Sequence, residues 1–399
     1  YQALNNVTNS SSTDTNNIAI GHSSGQSITT GAENVLIGGN SGDSLTTGTK
    51  NIAIGQHALG AEDGNGHNVA IGWYALSSLN AGSNAGNVGI GYNTADSVTT
   101  GTKNTIIGSE AGSALTTGAS NTVLGYQALY TEDTSSDNTA IGYRALRVQN
   151  ANSTFNTAVG KDAGLSLTSA SQCVFVGAVA GDAITTGGNN TAIGCSALGA
   201  EDEGQGNTAV GTNALILQDG GDNNTAVGLS AGGDLTTGDD NTLIGQNAGH
   251  SGTNNLTTGS NNIIIGKDAV GTAAGADDEI TLGNANNDTL RCAVTSITAL
   301  SDKRDKKDIK DSTYGLDFVD SLKPVIFEWD RRDGAKKDLK DIGFVAQDLQ
   351  EVDDEYTRLV YESNPEKLEA TYGRLIPIMT KAIQELSAEV KELKKQING

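Results

Sequence analysis

Ser301 and Lys306 stand five residues apart in the segment LSDKRDKKDI, which runs from Leu300 to Ile309. A serine hydroxyl is a useful nucleophile only beside a base. A lysine serves as that base only as the free amine, a form favoured by burial or by neighbouring cations. Cations do flank Lys306, at Lys303, Arg304 and Lys307. Other chemistry is sparse. His22, His57, His67 and His250 are scattered, with no pair at metal-ligand spacing. The acidic loops GAEDGNGH and GAEDEGQG lack calcium-loop spacing. No metal or cofactor is therefore expected. Cys173, Cys195 and Cys292 are odd in number and widely spaced, which gives neither a disulfide framework nor a zinc site. Trp73, Tyr74, Tyr92, Tyr126 and Tyr143 follow a recurring glycine. Their rings offer flat apolar faces with polar tips, the chemistry of sugar stacking, so they are candidate glycan contacts. No carboxylate pair is identifiable as the acid and base of a glycosidase.

Two different languages position these residues. Gly makes up 52 of 399 residues, and all three prolines (Pro324, Pro365, Pro377) lie after residue 300. A long stretch without proline suits continuous strand pairing, because proline removes a ladder donor. Residues 1–300 hold 7 Lys and Arg against 25 Asp and Glu, a net −18, while the remainder holds 18 against 22, a net −4. An acidic, aromatic-poor region repels phosphates, which argues against nucleic acid and against an anionic membrane surface. No apolar run approaches the roughly 20 residues that span a bilayer, so membrane insertion is not expected. The opening YQAL reads as the middle of a repeat, so residues 1–16 are expected to be a partial repeat or linker at the start of a fragment.

The first language has a beat of seventeen. Pentads such as NTAIG (138–142), NTAVG (207–211) and NTLIG (241–245) recur in 16 units, and 12 of the 15 spacings are 17 residues. A fixed short period means a solenoid. The second place is Ile, Val or Thr, the fourth Ile, Val or Leu, and the fifth always Gly. Alternation puts the second and fourth places on one face, expected to line a narrow core, and the third on the other. The third is mostly Ala, with Leu36, Ile106, Phe175 and Leu243 at intervals. Two apolar faces imply burial on both sides, the second of them by a neighbouring chain. Asn opens 14 of the 16 units; it tolerates the left-handed region and can bond along a stack of turns. A second segment, SLTTG or DAITTG, is expected to form a second strand, making a flattened β-roll over residues 17–290. With strands about 4.8 Å apart, 16 coils give a rod on the order of 75 Å. Units also alternate in pairs, two ending in TTG and two carrying AL, a superperiod of about four.

After a neck at 291–300 the second language begins. GLDFVDSL (315–322) has helical spacing, PVIFEWD (324–330) alternates as a strand, RRDGAKKDLKD reads as a charged loop, IGFVAQDLQEV (342–352) as a strand into a short helix, and RLVYE as a strand. Met379, Ile383, Leu386, Val390, Leu393 and Ile397 repeat at alternating fours and threes, a coiled-coil seam along a terminal helix over 375–398. The fold class is thus mainly β: a solenoid, then a small α+β domain with a coiled-coil helix.

The pentads resemble the SVAIG repeats of YadA-like trimeric adhesin heads, which implies three chains side by side. SDKRDKKDI, GLDFVDSLKPVIFEWD, KDIGFVAQDLQEV and YGRLIPIMTKAIQEL together resemble the intramolecular chaperone domain of endosialidase-type phage tail spikes and fibres, over 301–399. That resemblance implies a homotrimeric tail fibre whose C-terminal domain drives assembly in the infected host's cytoplasm and then cuts itself off. It makes Ser301 the nucleophile, Lys306 the base and Leu300–Ser301 the scissile bond, in a single-turnover endopeptidase. The mature rod is then expected on the virion, bound to other tail proteins and to a host-surface receptor such as a glycan. The rivals are a polysaccharide-depolymerising tail spike with its enzyme upstream or on the rod, and a bacterial trimeric adhesin.

Overall fold

Seventeen residues close one coil, and each coil contributes a single three-residue strand. The computed structural model describes residues 2–6, 15–62, 64, 66–82, 84–131, 133–149, 153–252, 254–284, 286–287, 291, 301–332, 337–362 and 368–398. It divides into two units, Tyr1–Leu282 and Gly283–Gly399. In the first, sixteen strands run from β1 (Ile18–Ile20) to β16 (Ile280–Leu282), and each pairs in parallel with the next to make one β-solenoid sheet. Register is kept at equivalent residues, as in Thr191↔Thr208.

Three expectations about the coil are corrected. First, the pentad's third residue points into the core, and the second and fourth point out. Leu36, Ala53, Ile106, Phe175 and Leu243 are fully buried, whereas Ile20, Leu124 and Ile193 are exposed. The lumen is narrow and is also filled from the turns, so a small residue suffices on the strand. Second, SLTTG and DAITTG form bends, not a second strand. Their N–H groups bond to the neighbouring coil, as Thr29 does to the Thr46 carbonyl (2.9 Å) and Thr168 to that of Thr185 (2.9 Å). Three left-handed residues per coil leave no extended run long enough for a second strand. Third, the pentad Asn is not one of them. The residue before it is, in all sixteen coils, for example Lys103 at φ 61° and Asp240 at φ 57°.

What the Asn does is form a buried ladder. The N–H of Asn104 donates to Asn87 Oδ1 (2.9 Å), and that of Asn121 donates to Asn104 Oδ1 (2.9 Å). The Asn104 amide donates in turn to the Gly118 carbonyl (2.8 Å). Cys173 interrupts the ladder. It is buried, which pushes its thiol up, and it has no oxygen to offer the next coil. The invariant glycine forms a second ladder: Gly55 has φ 134°, and a Cβ there would lie 2.3 Å from the Gly72 carbonyl oxygen.

The four-coil superperiod is a packing reciprocity. Large side chains enter from the strand at Leu36, Ile106, Phe175 and Leu243. In those coils the left-handed place four residues after the pentad glycine is Gly42, Gly112, Gly181 or Gly249. A Cβ at Gly181 would lie 2.5 Å from the Phe175 ring. In the two coils that follow those of Leu36, Ile106 and Phe175, where the strand offers only Ala or Val, a buried leucine takes that left-handed place, at Leu59, Leu76, Leu129, Leu146, Leu198 and Leu215; in the coils of Ala158 and Ala226 the place is glycine again, Gly164 or Gly232, and side chains from the coils on either side fill the space. Left-handed backbone costs of order 1–3 kcal/mol, and full burial of a leucine returns about 1.5–3 kcal/mol. In one such coil Glu201 is fully buried and accepts from the Gly204 (2.6 Å) and Gly220 (3.0 Å) N–H groups. Desolvation pushes its carboxyl up.

The second unit is small. Helix α1 (Leu316–Ser321), strand β17 (Val325–Asp330), β18 (Lys337–Gly343), helix α2 (Ala346–Gln350), the short pair β19 (Val360–Tyr361) and β20 (Glu369–Ala370), and helix α3 (Leu375–Asn398) follow in order. The segment read as a charged loop is half wrong: Lys337–Asp341 belong to β18, antiparallel to β17. Cross-strand pairs such as Glu328–Lys340 (3.6 Å) hold that charge in a ladder, and both faces are largely exposed, so no hydrophobic alternation marked the strand. Leu349, Leu359, Val360, Leu375 and Ile378 form its core. Helix α3 buries Leu375, Ile378 and Ala382, while its seam from Met379 to Ile397 stays exposed.

Asn104→Ala removes both a buried acceptor and a donor and is expected to cost about 1–3 kcal/mol per orphaned group; Cys173→Asn, which completes the ladder, should raise the melting temperature, and thermal unfolding measures both. Because the folded-state pKa of Glu201 is raised, stability is fully present below its unfolded value and is lost as pH rises through the folded one. Glu201→Gln should therefore raise the melting temperature at pH 7.5 and lose that advantage near pH 4.

Candidate functional site

One tight turn brings Lys306 back onto Ser301. Asp302 has extended backbone (φ −66°, ψ 136°), and its Oδ1 accepts the Arg304 N–H (2.8 Å), which caps a single 3-10 turn over Lys303–Asp305. Lys306 leaves that turn extended, its N–H donating to the Lys303 carbonyl (3.2 Å). The lysine Nζ then lies 2.5 Å from Ser301 Oγ and 3.4 Å from the Ser301 carbonyl oxygen. A separation of five residues is what one such turn spans. Both side chains are exposed. The Arg304 guanidinium, one of the cations beside Lys306, is taken by Asp302 (2.6 Å), which holds that carboxyl below the usual carboxylate range. Its charge is therefore locally balanced. Leu300 lies outside the described residues.

This turn opens the stretch that identifies the unit. Residues 301–360 match the family model described as chaperone of endosialidase. The second unit thus contains a stretch similar to chaperone-of-endosialidase domains. That family is one of self-cleaving intramolecular chaperone domains, and the β-solenoid before it fits the rod of a tail fibre or spike. A comparison of the chain with curated proteins gives no match.

The second unit rests on contacts that its sequence motifs did not announce. Glu385 Oε2 on α3 accepts the Leu316 N–H at the start of α1 (2.7 Å), which holds the glutamate below its usual range. Asp354 accepts from the Tyr314 hydroxyl (2.5 Å), and this bond pushes the tyrosine up to about 12. Ile326 and Ile342, directly paired across β17 and β18, are 84% and 70% exposed, so the hairpin presents an apolar pair beside the charged Glu328–Lys340 pair.

On the rod, the aromatic candidates fall into two stacks with a gap. Trp73 and Tyr92 stack at 5.0 Å and 10°, and Tyr126 and Tyr143 at 5.5 Å and 19°. All four are exposed and occupy the place after the invariant glycine, with Ser109 in the coil between the pairs. Tyr74 is not in that row. It sits one residue further round the turn, half-buried, against the edge of Trp73 (4.3 Å) and beside His57 (4.7 Å). Sequence reading missed Asp302 as the cap of the turn, although an acidic residue just before a charged turn is its ordinary signal. Among the described residues no group of three or more His, Cys, Asp or Glu side chains is arranged to hold a metal, and no helix is long and apolar enough to cross a membrane.

Proposed function

We propose that this chain is part of a phage tail fibre or spike in which three copies assemble under the chaperone domain, after which Ser301 cuts the Leu300–Ser301 bond with Lys306 as its base. The observation that carries the reading is the 2.5 Å approach of Lys306 Nζ to Ser301 Oγ at the first residue of the chaperone match. Ser301 Oγ attacks the Leu300 carbonyl carbon while Lys306 takes the hydroxyl proton. The C–N bond breaks, the Ser301 nitrogen receives a proton, and the leucyl group is left as an ester on Oγ. Water then hydrolyses the ester, leaving a Leu300 carboxylate and a Ser301 hydroxyl beside a free amine. Being intramolecular, the attack gains up to about 7–11 kcal/mol when the geometry is right. Both members of the pair are exposed in one chain. A partner chain laid over them would exclude water and favour the free amine, tying the cut to assembly.

Trimerisation is supported by three unpartnered apolar surfaces. The fourth pentad place is Ile, Val or Leu in every coil from Ile20 to Leu282, an unbroken outward row. The second is the α3 seam, where Ile383 is 67% exposed, and the third is the hairpin face. The released rod stays on the virion with other tail proteins and contacts the host surface, with the stacked rings of Trp73, Tyr92, Tyr126 and Tyr143 as the glycan contact and Tyr74 buttressing Trp73. The chaperone domain acts earlier, in the infected host's cytoplasm.

Denaturing electrophoresis of freshly assembled protein tests the cut. Wild type should give residues 1–300 and a 99-residue piece, while Ser301→Ala and Lys306→Arg, the latter because arginine does not deprotonate, should stay intact at the same native size. Intact wild-type chains in a folded trimer would sink the protease reading. Expressing residues 1–300 without the domain should give monomeric or aggregated rods on size exclusion; soluble trimers would refute the chaperone role.

A further inference from the structure

We propose that Asp302 is a positioning residue for the Leu300–Ser301 cut: by capping the turn that follows Ser301 it brings the Lys306 amine onto the serine hydroxyl. This rests on the reading of Ser301 and Lys306 as the cutting pair and adds to it the group that brings them together.

No core packing holds the turn over Lys303–Asp305, since none of its residues is buried. A 3-10 turn this short closes few bonds for the backbone it orders, and its bond geometry is poor. The backbone bonds that close it are long: the Asp305 N–H donates to the Asp302 carbonyl and the Lys306 N–H to the Lys303 carbonyl, at 3.2 Å each. The cap is shorter, with Asp302 Oδ1 accepting the Arg304 N–H at 2.8 Å. A side-chain oxygen at that place satisfies a donor that the start of a helical turn leaves without a partner.

The cap is itself held. Arg304 Nε lies 3.1 Å from both Asp302 carboxylate oxygens, and Arg304 Nη2 lies 2.6 Å from Oδ2. Arg304 thus supplies the backbone donor and, through its planar fork, the clamp that aims the carboxylate at it. Lys306 leaves the turn extended (φ −125°, ψ 139°), with its Nζ 2.5 Å from Ser301 Oγ. Ser301 and Lys306 therefore flank the capped segment on either side. An extended chain advances about 3.3–3.6 Å per residue, so an opened turn would carry the two roughly 17 Å apart, farther than a lysine side chain reaches. The role needs an oxygen at the right distance and not a charge. Asn caps in the same geometry as Asp, whereas Glu keeps the charge on an arm one methylene longer.

The test follows the cut in the full chain from the end of synthesis, as a first-order rate on denaturing gels, with native size and melting temperature measured beside it. Asp302→Ala should cut about fivefold more slowly than wild type, the loss that one cap of ordinary strength represents, at unchanged size and melting temperature. Asp302→Asn should recover most of that rate, and Asp302→Glu should be as slow as the alanine variant. If the alanine variant does not assemble, the asparagine and glutamate variants decide between them. An alanine variant that cuts at the wild-type rate, or a glutamate variant at least as fast as the asparagine one, overturns the positioning role and leaves the Ser301–Lys306 reading standing. Wild type that stays whole in a folded trimer removes both.

Discussion

Backbone bonding in the rod runs from coil to coil. Most N–H groups of one turn find their carbonyls about one coil away, in the turn above or below, and the buried Asn and Gly ladders repeat the same step. A coil therefore has little stability of its own and gains it by stacking, as in other repeat arrays. The same rule makes the coils interchangeable, since hydrogen bonds of this kind do not distinguish one rung from the next. Core packing distinguishes them in part. Leu146 and Phe175 close over Gly164 in the coil between them, and Leu215 and Leu243 over Gly232, so a slip by one or two coils sets bulk against bulk. A slip by four restores the pattern, because Leu36, Ile106, Phe175 and Leu243 recur at that interval.

Side-by-side association inherits this degeneracy in a stronger form. The outward row is uniform, Ile, Val or Leu at every rung, and nothing in it marks a starting point. A partner could dock at many offsets with similar contact. In the proposed trimer, register has to come from an element that occurs once, and that is the role proposed for the second unit. Its exposed helical seam and exposed hairpin isoleucines lie in a sequence without the seventeen-residue beat. On that reading the clamp is needed only until the rows have closed, and the proposed cut would leave a product that cannot easily retrace its assembly, so its persistence would be kinetic.

Much of the rod was legible because each place in the pentad is repeated sixteen times, and repetition averages out local noise. The solenoid, the strand positions and the invariant glycine follow from it, while the terminal helix was legible from its own seam of alternating fours and threes. Which face turns inward did not follow. Val and Ile at the second and fourth places look like core residues, and Ala at the third looks like filler. The lumen, however, is filled from left-handed leucines such as Leu76, whose role no strand pattern reveals. The second strand failed for the same reason, since left-handed backbone at Gln127 or Arg144 carries no residue signature comparable to glycine. At the site, the spacing of Ser301 and Lys306 was readable, but the turn that closes it depends on Asp302, whose cap competes with an equally plausible reading as one more surface charge.

These limits bear on where function can reside. The inward places are fixed by the lumen, the pentad Asn and Gly by the ladders, and the fourth place, in the proposed trimer, by association. What remains free to vary is the short turn after the glycine, where Trp73, Tyr92, Ser109, Tyr126, Tyr143 and Lys161 succeed one another along a single row. Substitution there changes the surface without touching a ladder bond or a core contact. A solenoid of this kind is a rigid ruler with a variable edge, and rigidity is what lets rings on successive coils act as one platform. The rod's recognition chemistry is therefore to be sought in that row and the residues that flank it.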